Sequence, residues 1–230
     1  LVDIADARAL ADDTETKVRG VVSFNDRGNT LHIQDSTGAI AVYKDQLDLS
    51  GINAGDYIEI NGRKSTYKGM IQIYAAEAAV IVEGKGMPKA ELHSIEELNT
   101  GAYDSKYVEI ENAIYNSSAK TLTQGSDVLN IYYIPTGLDI VTGDVVNVKG
   151  TMGSNNGTVQ IYGSSCTFTK VENADLEAPQ IKHESVVKAP IEADLKITAE
   201  ITDNVSVKKA SLFYRTAGST VDYQETAMDN

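Results

Sequence analysis

The chain has 230 residues, 42% hydrophobic and 23% charged, a composition that suits a soluble globular protein with room for two or three small domains. Its single cysteine, Cys166, excludes an internal disulfide framework and a Cys-based metal site, and no apolar run is long enough for a membrane-spanning helix. A formal charge of −13 excludes a protein that grips nucleic acid by charge alone.

The chain opens at Leu1 without a signal-peptide apolar region, the pattern expected of a trimmed or mature segment. Residues 3–11, DIADARALA, predict a short helix with Asp3 as its cap, Asp6 near its positive end, and Ile4, Ala7 and Leu10 on one face. Residues 17–24 follow as a strand with Val18 and Val22 inward, Lys17 and Arg19 outward, and Gly20 allowing a bend. After a turn at 25–28, Leu31 and Ile33 alternate with Thr30, His32 and Gln34, which predicts a second, half-buried strand. DSTG at 35–38 is a tight turn by composition, and a third strand carries Ile40 and Val42 between Ala41 and Tyr43. Residues 45–54 place Leu47, Leu49 and Ile52 at irregular spacing, as in a connector that plugs one end of a barrel. The fourth strand spans 57–64, its hairpin loop 65–69, and the fifth 70–82 with a bulge near Glu77. Five strands with a connector after the third is the order of an OB-fold barrel.

GKGMPK at 84–89 marks a boundary. Beyond it Ser94 and Glu97 have capping-box spacing ahead of Leu98, so a helix opens this part too. Residues 55–75, GDYIEINGRKSTYKGMIQIYA, recur without a gap as 143–163, GDVVNVKGTMGSNNGTVQIYG, an offset of 143 − 55 = 88 residues. A repeat of this length means a duplicated domain. The second copy's strands are expected at 107–115, 120–123, 128–134, 144–151 and 158–169. An acidic, Pro-terminated linker at 172–179 then leads to Leu195, Ile197, Ala199 and Ile201 in strict alternation, with further strands at 207–215 and 223–228. This tail looks like the opening of an immunoglobulin-like sandwich, which needs about 100 residues. It is therefore expected to be truncated, with edges free to pair with a partner chain. The expected architecture is all-β: two tandem five-stranded OB-fold barrels at 1–84 and 90–171, each preceded by a short helix, plus a truncated Ig-like segment at 178–230.

ETKVRGVVSF (15–24), LHIQDSTGAIAVY (31–43) and INAGDYIEINGRKSTYKGMIQIY (52–74) resemble the OB-fold domains of secreted bacterial nucleases, 5′-nucleotidases and related cell-surface phosphoesterases. The resemblance covers the first copy well and the second loosely, where TQGS at 123–126 stands in place of IQDS. ITDNVSVKKASLFYRTAG (201–218) is similar to Ig-like domains that accompany such modules. The resemblance implies an accessory, non-catalytic role in a secreted or surface bacterial protein whose metal-dependent catalytic domain lies outside this chain.

OB folds bind on the face of their second and third strands, flanked by the first–second and fourth–fifth loops. The residues placed there by alternation are Lys17, Arg19, His32, Gln34 and Tyr43, and the fourth–fifth loop adds Arg63, Lys64, Tyr67 and Lys68. Stackable rings interleaved with cations suit single-stranded nucleic acid. The same residues also suit a face with no ligand, since Tyr and His are good strand formers and loop lysines aid solubility. A structural, protein-binding or carbohydrate-binding module remains the alternative. The second copy's loop, GSNNG at 153–157, has no cation and is expected to be structural. His32, His93 and His183 fall in separate segments without metal-ligand spacing, and Ser117, Ser118, Ser164 and Ser165 lack a nucleophile-elbow pattern. No catalytic residue, metal or cofactor is expected. The expected partners are single-stranded nucleic acid and the parent protein's catalytic domain, with no membrane insertion.

Overall fold

The computed structural model describes residues 1–26, 29–44, 47–172, 174, 177–186, 195–207 and 209–228. Parts of the expected turn at 25–28, connector at 45–54, linker at 172–179 and strand at 207–215 lie outside the described residues. The chain divides into two compact units, Leu1–Glu172 and Asn173–Asn230. No helix among the described residues is long and apolar enough to cross a membrane.

The first barrel comprises α1 (Ile4–Ala9), β1 (Glu15–Asp26), β2 (Thr30–Gln34), β3 (Ala39–Lys44), β4 (Tyr57–Tyr67) and β5 (Met70–Val82). Its strands close in the order β1-β2-β3-β5-β4, with β3 and β5 parallel and β1 pairing with β4. That order and closure define the OB-fold. Inward residues fill the barrel: Val18, Val22, Leu31, Ile33, Ile40, Val42, Ile58, Ile60 and Ile73 are all fully buried. Burying each is worth about 1.5–3 kcal/mol relative to exposure. Ile4 and Ala7 of α1 and Leu49 and Ile52 of the connector close the same core. The Asn25 amide holds the connector in place by donating to the Leu49 and Ile52 carbonyls at 2.9 and 2.7 Å.

Asp3 does not cap α1 with its side chain. The DSTG turn does so from across the barrel: Ile4 N donates to Asp35 Oδ2 at 2.9 Å and Ala5 N to Thr37 Oγ1 at 3.1 Å. Burial would raise the Asp35 pKa, but bonds from Thr37, Ile4 and Gly38 outweigh it and hold the carboxyl below its ordinary value.

The second barrel contains β6 (Glu91–Leu92), α2 (Ile95–Leu98), β7 (Tyr107–Asn116), β8 (Thr121–Gln124), β9 (Asp127–Tyr132), β10 (Val145–Asn155), β11 (Thr158–Tyr162), a 3-10 turn (Gly163–Ser165) and β12 (Thr167–Lys170). The cycle β7-β8-β9-β11-β10 repeats the first barrel's order, with β9 and β11 parallel and β10 closing onto β7. The Ser94–Glu97 capping box of α2 is present as expected.

The ungapped repeat is the same hairpin built twice. β4 and β10 are each 11 residues long. Gly55 and Gly143 enter them at φ 92° and 99°, which favours glycine. Asp56 Oδ2 then accepts from Asn53 N, and Asp144 Oδ2 from Val141 N, both at 2.8 Å. The copies part at the fifth strand. In the first, β5 passes Gly62 with one bulged residue between the pairs Asn61–Glu77 and Gly62–Ala75. In the second, the strand expected as one piece over 158–169 breaks at the 3-10 turn and resumes as β12.

The tail unit holds two hairpins, β13 (Gln180–His183) with β14 (Ala199–Thr202) and β15 (Ser211–Tyr214) with β16 (Gln224–Ala227). β13 falls where no strand was expected, and the alternating run from Leu195 forms a strand only from Ala199. Asp203 turns the chain by accepting from Val205 N and Ser206 N at 2.8 and 2.9 Å.

A Cβ at Gly62 would lie 2.4 Å from the Tyr74 carbonyl oxygen and 2.9 Å from the Ala75 Cα, both backbone atoms. Gly62→Ala should therefore destabilise the protein by about 2–4 kcal/mol, whereas Gly51→Ala, with nothing within 4 Å of the added methyl, should be neutral. Thermal melts followed by circular dichroism check the contrast.

Candidate ligand-binding groove

The register fixes which side chains share the outer face of the first barrel. One row runs Thr30, Tyr43, Tyr74 and Arg63 across β2, β3, β5 and β4. The next runs Phe24, His32, Ala41, Gln72 and Ser65. Alternation predicted β2 to be buried on one side only, yet Leu31, His32, Ile33 and Gln34 are all buried.

The second barrel is the reason. His32 Nδ1 lies 3.1 Å from Ser105 Oγ, and Tyr107 N donates to Gln34 Oε1 at 3.0 Å. The Tyr162 ring packs 4.9 Å from His32 and 5.2 Å from Phe24, and its hydroxyl reaches Met70 Sδ at 4.0 Å. Residues expected to face solvent thus form the contact between barrels. His32 and Gln34 do point outward, but onto protein. Burial lowers the His32 pKa to about 3, and its Nε2 has no hydrogen-bond partner. Beside Ser105, burial pushes the Asp104 carboxyl up to about 6, against the opposing pull of Arg8 and the amides of Ile71 and Ser105.

The half of the face that stays open is a groove of about 470 Å³ lined by Tyr43, Tyr67, Tyr74, Thr30, Ser65 and Gln72, among others. Tyr43 stacks on Tyr74 with ring centroids 5.9 Å apart and planes at 29°. Tyr67 stands on the β4–β5 hairpin, 57% exposed. Gln72 Nε2 donates to Ser65 Oγ at 3.1 Å, which orders the groove's polar floor.

The remaining expected site residues scatter. Lys68 lies in the hairpin turn with its ammonium 5.4 Å from the Tyr67 ring centre. Arg63 ends the Tyr43–Tyr74 row and meets Asp13 only at 3.9 Å. Lys17 and Arg19 line no part of the groove, and both bind Glu59 on β4, at 3.1 and 2.8 Å. Lys64 was expected in an exposed loop, but it is buried, with its ammonium held by Asp12 and Thr66. Lys64 lies within β4, on the same side as the buried Ile58, Ile60 and Gly62.

Sequence reasoning missed Tyr74, Gln72 and Ser65. The repeated Q-I-Y was visible, but the parallel β3–β5 register that sets Tyr74 against Tyr43 was not. His93 is largely covered, its ring centre 4.0 Å from that of Tyr103. The Cys166 thiol sits in the second core and donates to the Tyr162 carbonyl, and burial raises its pKa to about 12. Among the described residues no group of three or more His, Cys, Asp or Glu side chains could hold a metal ion.

No protein-family model matches the chain, and no curated protein matches it. Among solved structures, the hypothetical protein ygiW from E. coli is similar at 22% identity, covering 35% of this chain and 89% of that one, with a TM-score of 0.31. The p204 HINb domain is similar at 13% identity over 70% of this chain and 100% of that one, TM-score 0.37. A replication protein A heterotrimer bound to single-stranded DNA is similar at 15% identity over 71% and 50%, TM-score 0.30. The OB-fold assignment rests on strand order and closure.

His32 and Asp104, the titratable pair at the barrel contact, act in opposite senses. The folded His32 pKa lies below its unfolded value of 6.5, so the stability it allows is lost as pH falls from 6.5 toward 3. The folded Asp104 pKa lies above its unfolded value of 3.8, so folding gains stability as pH falls from about 6 to 3.8. Asp104→Asn removes only the second effect. Its stability relative to the parent chain should drop by on the order of 2 kcal/mol between about pH 6 and 4, as measured by urea unfolding across that range.

Proposed function

We propose that this chain is a non-catalytic binding module whose first OB-fold barrel holds single-stranded nucleic acid in the Tyr43–Tyr67–Tyr74 groove. One observation carries the reading: three tyrosines converge on the open half of the face OB folds use for binding, over a floor of Ser65 and Gln72. Each ring offers a flat surface to a base, and base–aromatic stacking contributes about 1–3 kcal/mol per base. Arg63 and Lys68 flank the rings and supply charge for the backbone. His32, Gln34 and Lys64 have structural roles in this proposal, and Lys17 and Arg19 lie outside the site.

We further infer that the module belongs to a secreted or cell-surface bacterial nuclease or phosphoesterase, with catalysis in another domain. The resemblance of 15–24, 31–43 and 52–74 to that family's OB-fold segments supports this. The tail hairpins are assigned to the start of an Ig-like spacer on the strength of the 201–218 resemblance.

A second reading is an oligosaccharide. The lining of Thr30, Ser65, Thr66 and Gln72 is neutral and rich in hydroxyl and amide groups, and tyrosine faces also stack on sugar rings. Fluorescence anisotropy with labelled oligo-dT at physiological salt, where the acidic surface is screened, separates the two. Binding should be saturable, and Tyr43→Ala and Tyr74→Ala should each weaken it by about 5- to 100-fold, the loss of one stacked base. Oligo-dT binding that is absent, or indifferent to both substitutions, overturns the nucleic-acid reading. Capture on a glycan array that is lost in Tyr43→Ala would then favour the sugar.

A further inference from the structure

The groove does not stop at the edge of the first barrel. A second cavity of about 200 Å³ adjoins it, and Tyr67 and Met70 line both. The far wall of this cavity belongs to the second barrel, through Tyr132, Gln160 and Tyr162.

These residues are the duplicates of the first barrel's site. In parallel register Tyr43 faces Tyr74 and Ala41 faces Gln72. In the second barrel Tyr132 faces Tyr162 and Asn130 faces Gln160. The Tyr132–Tyr162 rings are 5.8 Å apart at 90°, against 5.9 Å and 29° for the first pair. The edge-on geometry follows from Tyr162's turn into the barrel contact, where it packs on His32 and Phe24. Tyr132 keeps half its surface exposed.

We propose that one strand of nucleic acid bound at Tyr43 and Tyr74 continues past Tyr67 and stacks on Tyr132, so that the two barrels form a single site. The proposal rests on the reading of the first groove as a nucleic-acid site. A line of separated rings with polar groups between them fits a polymer that repeats a flat unit. A compact ligand would fill only one of the two cavities. Lys68 lines the junction and supplies one cation where the strand passes between barrels. Asp26 on the same cavity sets the backbone on the Lys68 side. The second copy's cation-free loop at 153–157, expected to be structural, contributes Ser154 and Asn155 to the lining of this cavity.

The test uses the intact chain and labelled oligo-dT of about 4, 8 and 12 nucleotides, within the roughly 4–16 nucleotide footprints of OB folds. Affinity should rise at least about tenfold from the shortest to the longest, beyond the gain from statistical placement. Tyr132→Ala should weaken the longest by about 5- to 100-fold, the equivalent of one stacked base, and leave the shortest unchanged. Tyr43→Ala should weaken all three. Circular dichroism of each variant confirms the fold. If the shortest oligonucleotide binds through Tyr43 while affinity ignores length or Tyr132→Ala, the shared site is overturned and the first groove stands. Failure of every length to bind overturns both.

Discussion

The contact between His32, Gln34 and the second barrel governs much of the rest. A buried polar side chain without partners costs about 1–3 kcal/mol, so an imidazole and an amide on an outer strand face would be a liability if they were merely covered. Gln34 escapes by accepting from the Tyr107 amide, and His32 escapes in part, its Nδ1 meeting Ser105 while its Nε2 stays without a partner. Both partners lie in or just ahead of β7, where the second barrel begins. The two barrels are therefore held by specific polar contacts as well as by the Phe24–His32–Tyr162 ring cluster. Their docking also decides where a ligand can go, because it removes the β2 end of the face and leaves the Tyr43–Tyr74 end open.

Duplication gave the protein two copies of one hairpin, and the copies have divided the work. The glycine turn and aspartate bond at each entry are the same to within a few degrees and hundredths of a nanometre. What differs is the use of the tyrosine that follows Gln-Ile. Tyr74 lines an open groove, whereas Tyr162 is buried as the wedge between barrels. Burial against Phe24 and His32 and the nearby charge of Asp104 both raise the Tyr162 pKa, which keeps its phenol neutral at any ordinary pH.

The barrels, their strand order and both short helices were legible in the sequence, because apolar alternation and an 88-residue repeat are local signals. Alternation assigns a side chain to a face but does not say what covers that face. This is why His32 and Gln34 were expected in water. Cross-strand neighbours are non-local, so the partnership of Tyr43 with Tyr74 emerged only with the β3–β5 register. Lys64 illustrates a third limit. It was counted with the fourth–fifth loop, but it lies within β4, where alternation with the buried Ile58, Ile60 and Gly62 turns it inward to Asp12. The close approach at the break after Tyr162 is likewise non-local: a Cβ on Gly163 would fall 2.3 Å from the Tyr133 carbonyl oxygen, so the position accepts only glycine.

The net charge of −13 bears on a polyanion ligand less than it first suggests. At physiological salt the Debye length is about 8 Å, so acidic groups spread over the remainder of the surface are screened from a strand lying in the groove. Near the groove the cations are largely committed: Lys64 to Asp12, Arg63 weakly to Asp13, and Lys17 and Arg19 to Glu59. Few counterions would leave a bound strand, because few lysines and arginines are free to replace them. Affinity would then come from stacking, which salt does not screen. Lowering the salt lengthens the reach of the acidic surface as much as that of Lys68, so attraction and repulsion would grow together. A binder built this way takes hold by its rings and is repelled at long range, which suits a module that keeps a strand already delivered to it better than one that captures strands from solution.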